Sequence, residues 1–146
     1  MKIMKMDASH VDQVAELEKR NFNDPWSANS IASELNNPLS YWLVAVQDEV
    51  VCGYVGSQTV MNETDMMNVA VHPDLRRQGI AETLVTTLMD DLKEQGSRCL
   101  TLEVRATNIP AQKLYEKLGF RHVGTRPRYY RNPKEDAFIL RKEWDV

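Results

Sequence analysis

Val71-His72-Pro73-Asp74-Leu75-Arg76-Arg77-Gln78-Gly79-Ile80-Ala81 has the residue types of an anion site. The first turn of a helix carries backbone N–H groups without internal partners, backed by the positive end of the helix dipole. Gly79 lets a diphosphate approach the backbone with no Cβ in the way, and Arg76 and Arg77 add charge and forked donors. An ordinary polar turn before a solvated helix start would use the same residues. Two familiar phosphate loops are excluded, because neither a Gly-Lys-Ser/Thr ending nor a G-x-G-x-x-G run is present. Further on stand two groups able to move protons. Glu103 alternates with Leu102 and Val104, which puts it on the polar face of a strand with Thr101 and Arg105. Tyr115 follows Asn108 by seven residues, two helical turns on the same face. Each has a plain alternative: a surface carboxylate paired with Arg105, and a structural tyrosine in an apolar stripe.

These residues need a scaffold that the pattern supplies. Residues 65–71 form a short, largely apolar run, the signature of a strand covered on both faces, and Pro73 ends it. Ile80, Ala81, Leu84, Val85, Leu88, Met89 and Leu92 recur at helical spacing, and Gly96 closes that helix. Residues 99–104 make the next strand, and a strand, helix, strand succession of this length implies a right-handed crossover with parallel pairing. Asn108 caps a helix with Pro110 in its first turn and Gly119 just past its end, while Ala111, Leu114, Tyr115 and Leu118 share one face.

Upstream, residues 2–6 read as an edge strand, and Asp7 or Ser9 caps a helix that points Val11, Val14, Leu17 and Phe22 inward. Ser27 caps a shorter helix carrying Ile31 and Leu35, with Trp26 between the two. Residues 41–46 and 50–59 are strands of a hairpin, and 61–64 make the next turn. Two closing strands, 120–125 and 137–144, flank a loop at 126–136. The expected whole is a single α/β domain over residues 1–146, a mixed, mostly antiparallel sheet with helices on both faces.

Arg76-x-x-Gly79-x-Ala81 after a strand, followed by Asn108-x-x-Ala111-x-x-Leu114-Tyr115-x-x-x-Gly119-Phe120, resembles the GNAT superfamily of acetyl-CoA-dependent N-acetyltransferases. Asp24-Pro25-Trp26-Ser27, Asn68-Val69-Ala70-Val71, the run from Leu102 to Asn108 and Tyr129-Tyr130 resemble, more narrowly, its RimI-type ribosomal-protein-alanine acetyltransferases. The resemblance implies two central parallel strands that splay apart, with acetyl-CoA in the gap against Val69, Ala70 and Val71. It places the diphosphate on Arg76, Arg77, Gln78, Gly79, Ile80, Ala81 and Glu82, with Asn108 completing the cofactor set. It makes Glu103 the general base for the amine and Tyr115 the proton donor to the departing thiolate. Trp26, Tyr129 and Tyr130 border the amine entrance, where the tyrosines are either peptide contacts or solvated loop aromatics. The implied acceptor is the N-terminal α-amine of a protein, in particular the alanine of a ribosomal protein.

Composition narrows the field. With 146 residues, 42% of them hydrophobic, the chain can bury a core without staples, and it shows no apolar run long enough for a signal peptide or a membrane span, so a cytoplasmic protein is expected. A formal net charge of −3 argues against general nucleic-acid affinity. Cys52 and Cys99 lack metal-ligand spacing and read as buried hydrophobes, and His10, His72 and His122 complete no nucleophilic triad, so neither a metal nor an acyl-enzyme is expected. Two other functions share the cofactor residues: acetylation of lysine side chains or small amines, and a silent acetyl-CoA sensor. Retention of both Glu103 and Tyr115 argues against the sensor.

Overall fold

The computed structural model describes residues 1–131 and 133–144. Seven strands form one sheet in the order β1-β2-β3-β4-β5-β7-β6. The chain runs β1 (Lys2–Lys5), α1 (Val11–Asn21), α2 (Ala28–Glu34), β2 (Ser40–Gln47), β3 (Val50–Val60), β4 (Glu63–Val71), α3 (Ile80–Glu94), β5 (Cys99–Arg105), α4 (Ile109–Lys117), β6 (Arg121–Tyr130) and β7 (Glu135–Glu143). Every neighbouring pair is antiparallel except β4 and β5. Asp7 caps the short turn that leads into α1, Ser27 caps α2 and Asn108 caps α4, each by accepting a backbone N–H that the helix leaves unpaired.

Two cores form, one on each face. The first packs Ile80, Leu84, Val85, Leu88 and Leu92 of α3, with Tyr115 of α4, against Leu43, Val55, Leu100, Leu102 and Val104. The second lies beneath α1 and α2 and joins Val14, Leu17 and Ile31 to Trp42, Val44 and Tyr54. Among the described residues this second cluster draws strand residues from β1 to β4 and none from β5, β7 or β6. Cys52 and Cys99 are buried free thiols, as small hydrophobes would be.

Hydrogen bonding between β4 and β5 is the decisive feature. Among the described residues they pair at Thr64 with Leu100 and at Asp65 with Thr101, and there the ladder stops. Opposite the same point, the pairing of β4 with β3 slips between Ser57–Met66 and Gly56–Asn68, so that Met67 is an extra, bulged residue. The bulge turns Met67 and Asn68 toward α1, whereas Met66 and Val69 pack on the α3 side. The rest of β4 still runs along β3 up to Gly53–Val71, so its other edge, facing β5, is left open.

Gly56 at this bulge has a packing reason. A Cβ there would stand 2.4 to 2.6 Å from ring atoms of Trp42, which is itself wedged between Trp26 and Tyr54. Gly56→Ala is therefore expected to destabilise the fold by about 1–3 kcal/mol, the usual cost of overpacking a filled core. Denaturant titration checks this, and an unchanged midpoint would show that the tryptophan yields freely.

The loop expected at 126–136 is shorter than the sequence suggested. β6 continues to Tyr130 and β7 begins at Glu135, so Tyr129 and Tyr130 end a strand instead of lying mid-loop. The extension was hidden because β6 is exposed almost throughout and has no alternating apolar side, and because its register with β7 breaks between Arg126 and Tyr130. Residue 132 of that expected loop lies outside the described residues. The turn at 61–64 also shrinks: Met61 and Asn62 alone make the hairpin bend, both at positive φ.

Candidate active site

Past the point where β4 and β5 separate, Glu103 projects from β5 on the face opposite Leu102 and Val104, as alternation requires. The sheet half carrying it has no helix of the α1 and α2 layer in its core, so the carboxylate sits at an open face. Its partner is not Arg105. Arg126 of β6 approaches Oε1 at 3.6 Å, while Oε2 is buried with no hydrogen-bond partner among the described residues. The loss of Arg105 to another carboxylate explains the difference. Arg105 binds Glu135 at 3.2 Å, donates to the carbonyls of Arg131 and Pro133, and stacks its guanidinium 4.4 Å from the Tyr130 ring.

Arg105 thereby holds the β6–β7 turn, and Glu135 ties it to the start of α4 through the N–H and hydroxyl of Thr107. Those hydrogen bonds, led by the Thr107 hydroxyl and joined by Arg105, hold the Glu135 carboxyl below the usual range. A lowered pKa contributes stability that is present above the unfolded value, about 4.3 for Glu, and is lost as pH falls through the folded value. Glu135→Gln is expected to flatten the fall of melting temperature below about pH 4.3. Parallel acid slopes for variant and parent would show that this carboxylate does not govern the turn.

Tyr115 reaches the site from the other face. It is 4% exposed, lies edge-on to Phe120 at 5.4 Å, and among the described residues its phenol has only a 3.9 Å contact with Met66 Sδ, at the point where the strands part. Burial, then the nearby Tyr130 phenol, push its pKa up. Tyr130 is raised to about 12 by burial and then by the Glu103 carboxylate, and Tyr129 is raised by burial, by the Glu103 charge and by a hydrogen bond that its hydroxyl gives to Glu103. Tyr129 and Tyr130 pack edge to face at 5.2 Å at the end of β6, close enough to the Glu103 carboxylate to feel its charge.

At the far end of β4, the chain turns through His72 and Pro73–Leu75, then adopts positive φ at Arg77 (66°) and Gly79 (77°) before α3 begins. A Cβ at Gly79 would meet nothing within 4 Å, so the backbone there is open on the side a bound anion would take. The N–H groups of Ile80, Ala81 and Glu82 open α3 without intrahelical acceptors. Arg76, Arg77 and Gln78 are exposed beside them. Arg76 donates to Asn21 of α1 at 2.6 Å, and Glu82 pairs with Lys117 of α4 at 3.0 Å, so both neighbouring helices are tied to this turn. Asn108 spends its side-chain oxygen on the Ala111 N–H. The open edge of β4 and the bare helix start form one continuous track that suits an extended chain ending in a diphosphate.

Trp26, from the segment between α1 and α2, is half-buried with its ring 5.5 Å from Trp42. The sequence missed Arg126 and Glu18, the one because it fell in an apparent loop and the other because a lone glutamate in a polar helix carries no signal. A groove of about 590 Å³ lined by Lys5, Glu34, Asn37, Ser40 and Trp42 contains none of the site residues. No group of three or more metal-ligating side chains occurs among the described residues, and no helix there is long and apolar enough to cross a membrane.

Comparison with known proteins agrees with this geometry. Residues 11–120 match the family model described as the acetyltransferase (GNAT) family. A protein of Bacillus subtilis (strain 168), provisionally named a [ribosomal protein bS18]-alanine N-acetyltransferase, is 38% identical over 139 residues, covering 94% of this chain and 92% of that one. The [ribosomal protein bS18]-alanine N-acetyltransferase of Escherichia coli (strain K12) is 34% identical over 94% of both chains. The crystal structure of the ribosomal-protein-S18-alanine N-acetyltransferase from Escherichia coli superposes with a TM-score of 0.91 at 31% identity, covering 99% of this chain and 94% of that one.

Proposed function

Because the chain belongs to the acetyltransferase (GNAT) family and is an acetyl-CoA-dependent N-acetyltransferase, we propose that its acceptor is the N-terminal α-amine of a ribosomal protein, with alanine as the first residue. The observation that carries the mechanism is the parting of β4 and β5, which leaves a strand edge open between a carboxylate on one side and a phenol on the other. The acceptor class rests on the two bS18-alanine N-acetyltransferases, which match over nearly their whole length. An acceptor on the ribosome puts the enzyme in the cytoplasm.

Acetyl-CoA, when bound, supplies the thioester carbonyl that the amine attacks. Val69, Ala70 and Val71 offer main-chain groups along the open edge, and residues 76–82 offer N–H groups and guanidinium charge to the diphosphate. An α-amine titrates near about 8, so most of it arrives protonated at neutral pH and must lose a proton before it can attack. Glu103 takes that proton on its unpartnered Oε2, either directly or through a water. Tyr115, kept protonated by burial, delivers one from its phenol oxygen to the departing sulfur. Trp26, Tyr129 and Tyr130 wall the amine entrance on the Glu103 face. No covalent acyl-enzyme is formed, and correct placement of amine and carbonyl supplies much of the rate.

Intact-mass analysis with two peptides tests the acceptor. One has a free N-terminal alanine and no lysine; the other has a blocked N-terminus and an internal lysine. Transfer to the first alone is expected. Transfer to the second alone would move the function to side-chain amines, and silence on both with acetyl-CoA still bound would favour a small amine or a sensor.

A further inference from the structure

Glu18 is fully buried, yet nothing in the proton transfers uses it. Its carboxylate collects donors from three separate places. Tyr54 of β3 gives its hydroxyl to Oε2, the main-chain N–H of Trp26 reaches Oε1 at 2.9 Å, and the Asn68 amide contacts both oxygens, at 3.2 and 3.0 Å. We propose that Glu18 is a positioning residue for the acceptor, clamping the Trp26 segment to Asn68 at the β4 bulge and so fixing the amine entrance against the strand that borders the cleft. The inference rests on the acetyl-transfer reading above and deepens it.

Packing alone does not account for a carboxylate here. An apolar side chain of similar volume fills such a site at equal or lower cost, because a buried charge must first be stripped of water. The neighbours Val14 and Leu17 on the same helix do fill space in that way. What a carboxylate adds is the ability to accept several donors at once, and two of these come from the Trp26 segment and from Asn68 of β4. Asn68 follows the bulged Met67, where β4 leaves β5, and Trp26 belongs to the segment that walls the acceptor side. Both Glu18 oxygens are occupied by donors, so neither is placed to take a substrate proton. Its part is geometric.

Residues 23–25 are exposed, and the Trp26 ring rests on Trp42. Without the carboxylate the Trp26 N–H loses its acceptor, and the entrance wall is released from β4 while the anion-binding turn, tied separately to α1 through Asn21 and Arg76, stays in place. The signature is therefore a fall in acceptor recognition that leaves cofactor binding intact.

Steady-state kinetics on the N-terminal alanine peptide, with acetyl-CoA affinity measured by calorimetry, separates the possibilities. In both Glu18→Gln and Asn68→Ala the peptide kcat/KM is expected to fall at least about tenfold, mainly through KM, with acetyl-CoA affinity within about twofold of the parent. The double variant should lose no more than about a further twofold, as expected of two residues in one link. Asn68→Ala leaves no buried charge without its other donors, so it tests the link even if Glu18→Gln folds poorly. A peptide KM within twofold of the parent in Asn68→Ala overturns the proposal, as does an acetyl-CoA affinity that falls in step with the peptide's, which would mark general loosening. Absence of transfer by the unaltered enzyme would overturn the acetyl-transfer reading and this inference with it.

Discussion

Replacing Glu103 by Gln is expected to lower turnover about 10²- to 10⁴-fold, the range typical of a general acid–base group, while acetyl-CoA binds as before. The variant keeps shape and polarity but cannot take up the proton that the arriving ammonium must lose. One oxygen of this carboxylate is buried without a hydrogen-bond partner among the described residues, and a buried acceptor is costly until a donor arrives. An incoming ammonium is such a donor. Arg126 stands 3.6 Å from the other oxygen, which leaves Oε2 without a hydrogen-bond partner among the described residues. A further signature follows from the amine itself. With no base, the rate depends on the fraction of amine already neutral, so the variant's kcat/KM should climb about tenfold per pH unit up to about pH 8. Retention of near-normal turnover at pH 7 would remove Glu103 from the reaction and return it to the role of a surface ion-pair partner.

Tyr115→Phe is expected to lose a similar factor, about 10²- to 10⁴-fold in turnover, with almost no change in stability. The separation is unusually clean for a buried tyrosine. Removal of a phenol from a core normally strands a partner, but among the described residues this hydroxyl makes only a long contact with a thioether. The ring's packing against Phe120 survives in the variant. Burial and Tyr130 keep the proton on Tyr115 at any working pH, which suits a group that must donate and would harm one that must accept. Stopped-flow or steady-state assay beside a thermal melt decides the matter: unchanged turnover would leave Tyr115 a structural residue, and a large drop in melting temperature would show a hydrogen bond that matters to folding.

The sequence revealed the parts whose periodicity is strong. α3 was legible because six buried residues fall on one face, and β5 because buried and half-buried residues alternate along it. The turn before α3 was readable from Pro73 and Gly79, and the positive φ of Gly79 is an added feature that the sequence did not state. Glu103 and Tyr115 were reached through the motif that contains them, and the structure brings both to the parting of β4 and β5. Less legible was everything fixed by tertiary pairing. Nothing in residues 63–71 states that β4 abandons β5 after two residue pairs; that follows from a bulge whose extra residue, Met67, looks like any apolar strand position. The reach of β6 to Tyr130 was hidden by its exposure, and the pairing of Arg105 with Glu135 could not be foreseen while Glu135 was assigned to a loop. Glu18 shows the same limit: its role depends on three donors distant in sequence.

The interrupted ladder between β4 and β5 also has a thermodynamic meaning. A sheet joined across its middle by two residue pairs is close to two half-sheets sharing a seam, and a ligand lying in that seam adds the missing rungs. Any molecule that binds the folded chain alone stabilises it by RT ln(1 + [L]/Kd), about 2.7 kcal/mol at a hundredfold excess over Kd. Acetyl-CoA bound along that seam is therefore expected to raise the melting temperature as well as to supply the acetyl group, which a thermal melt with and without it checks.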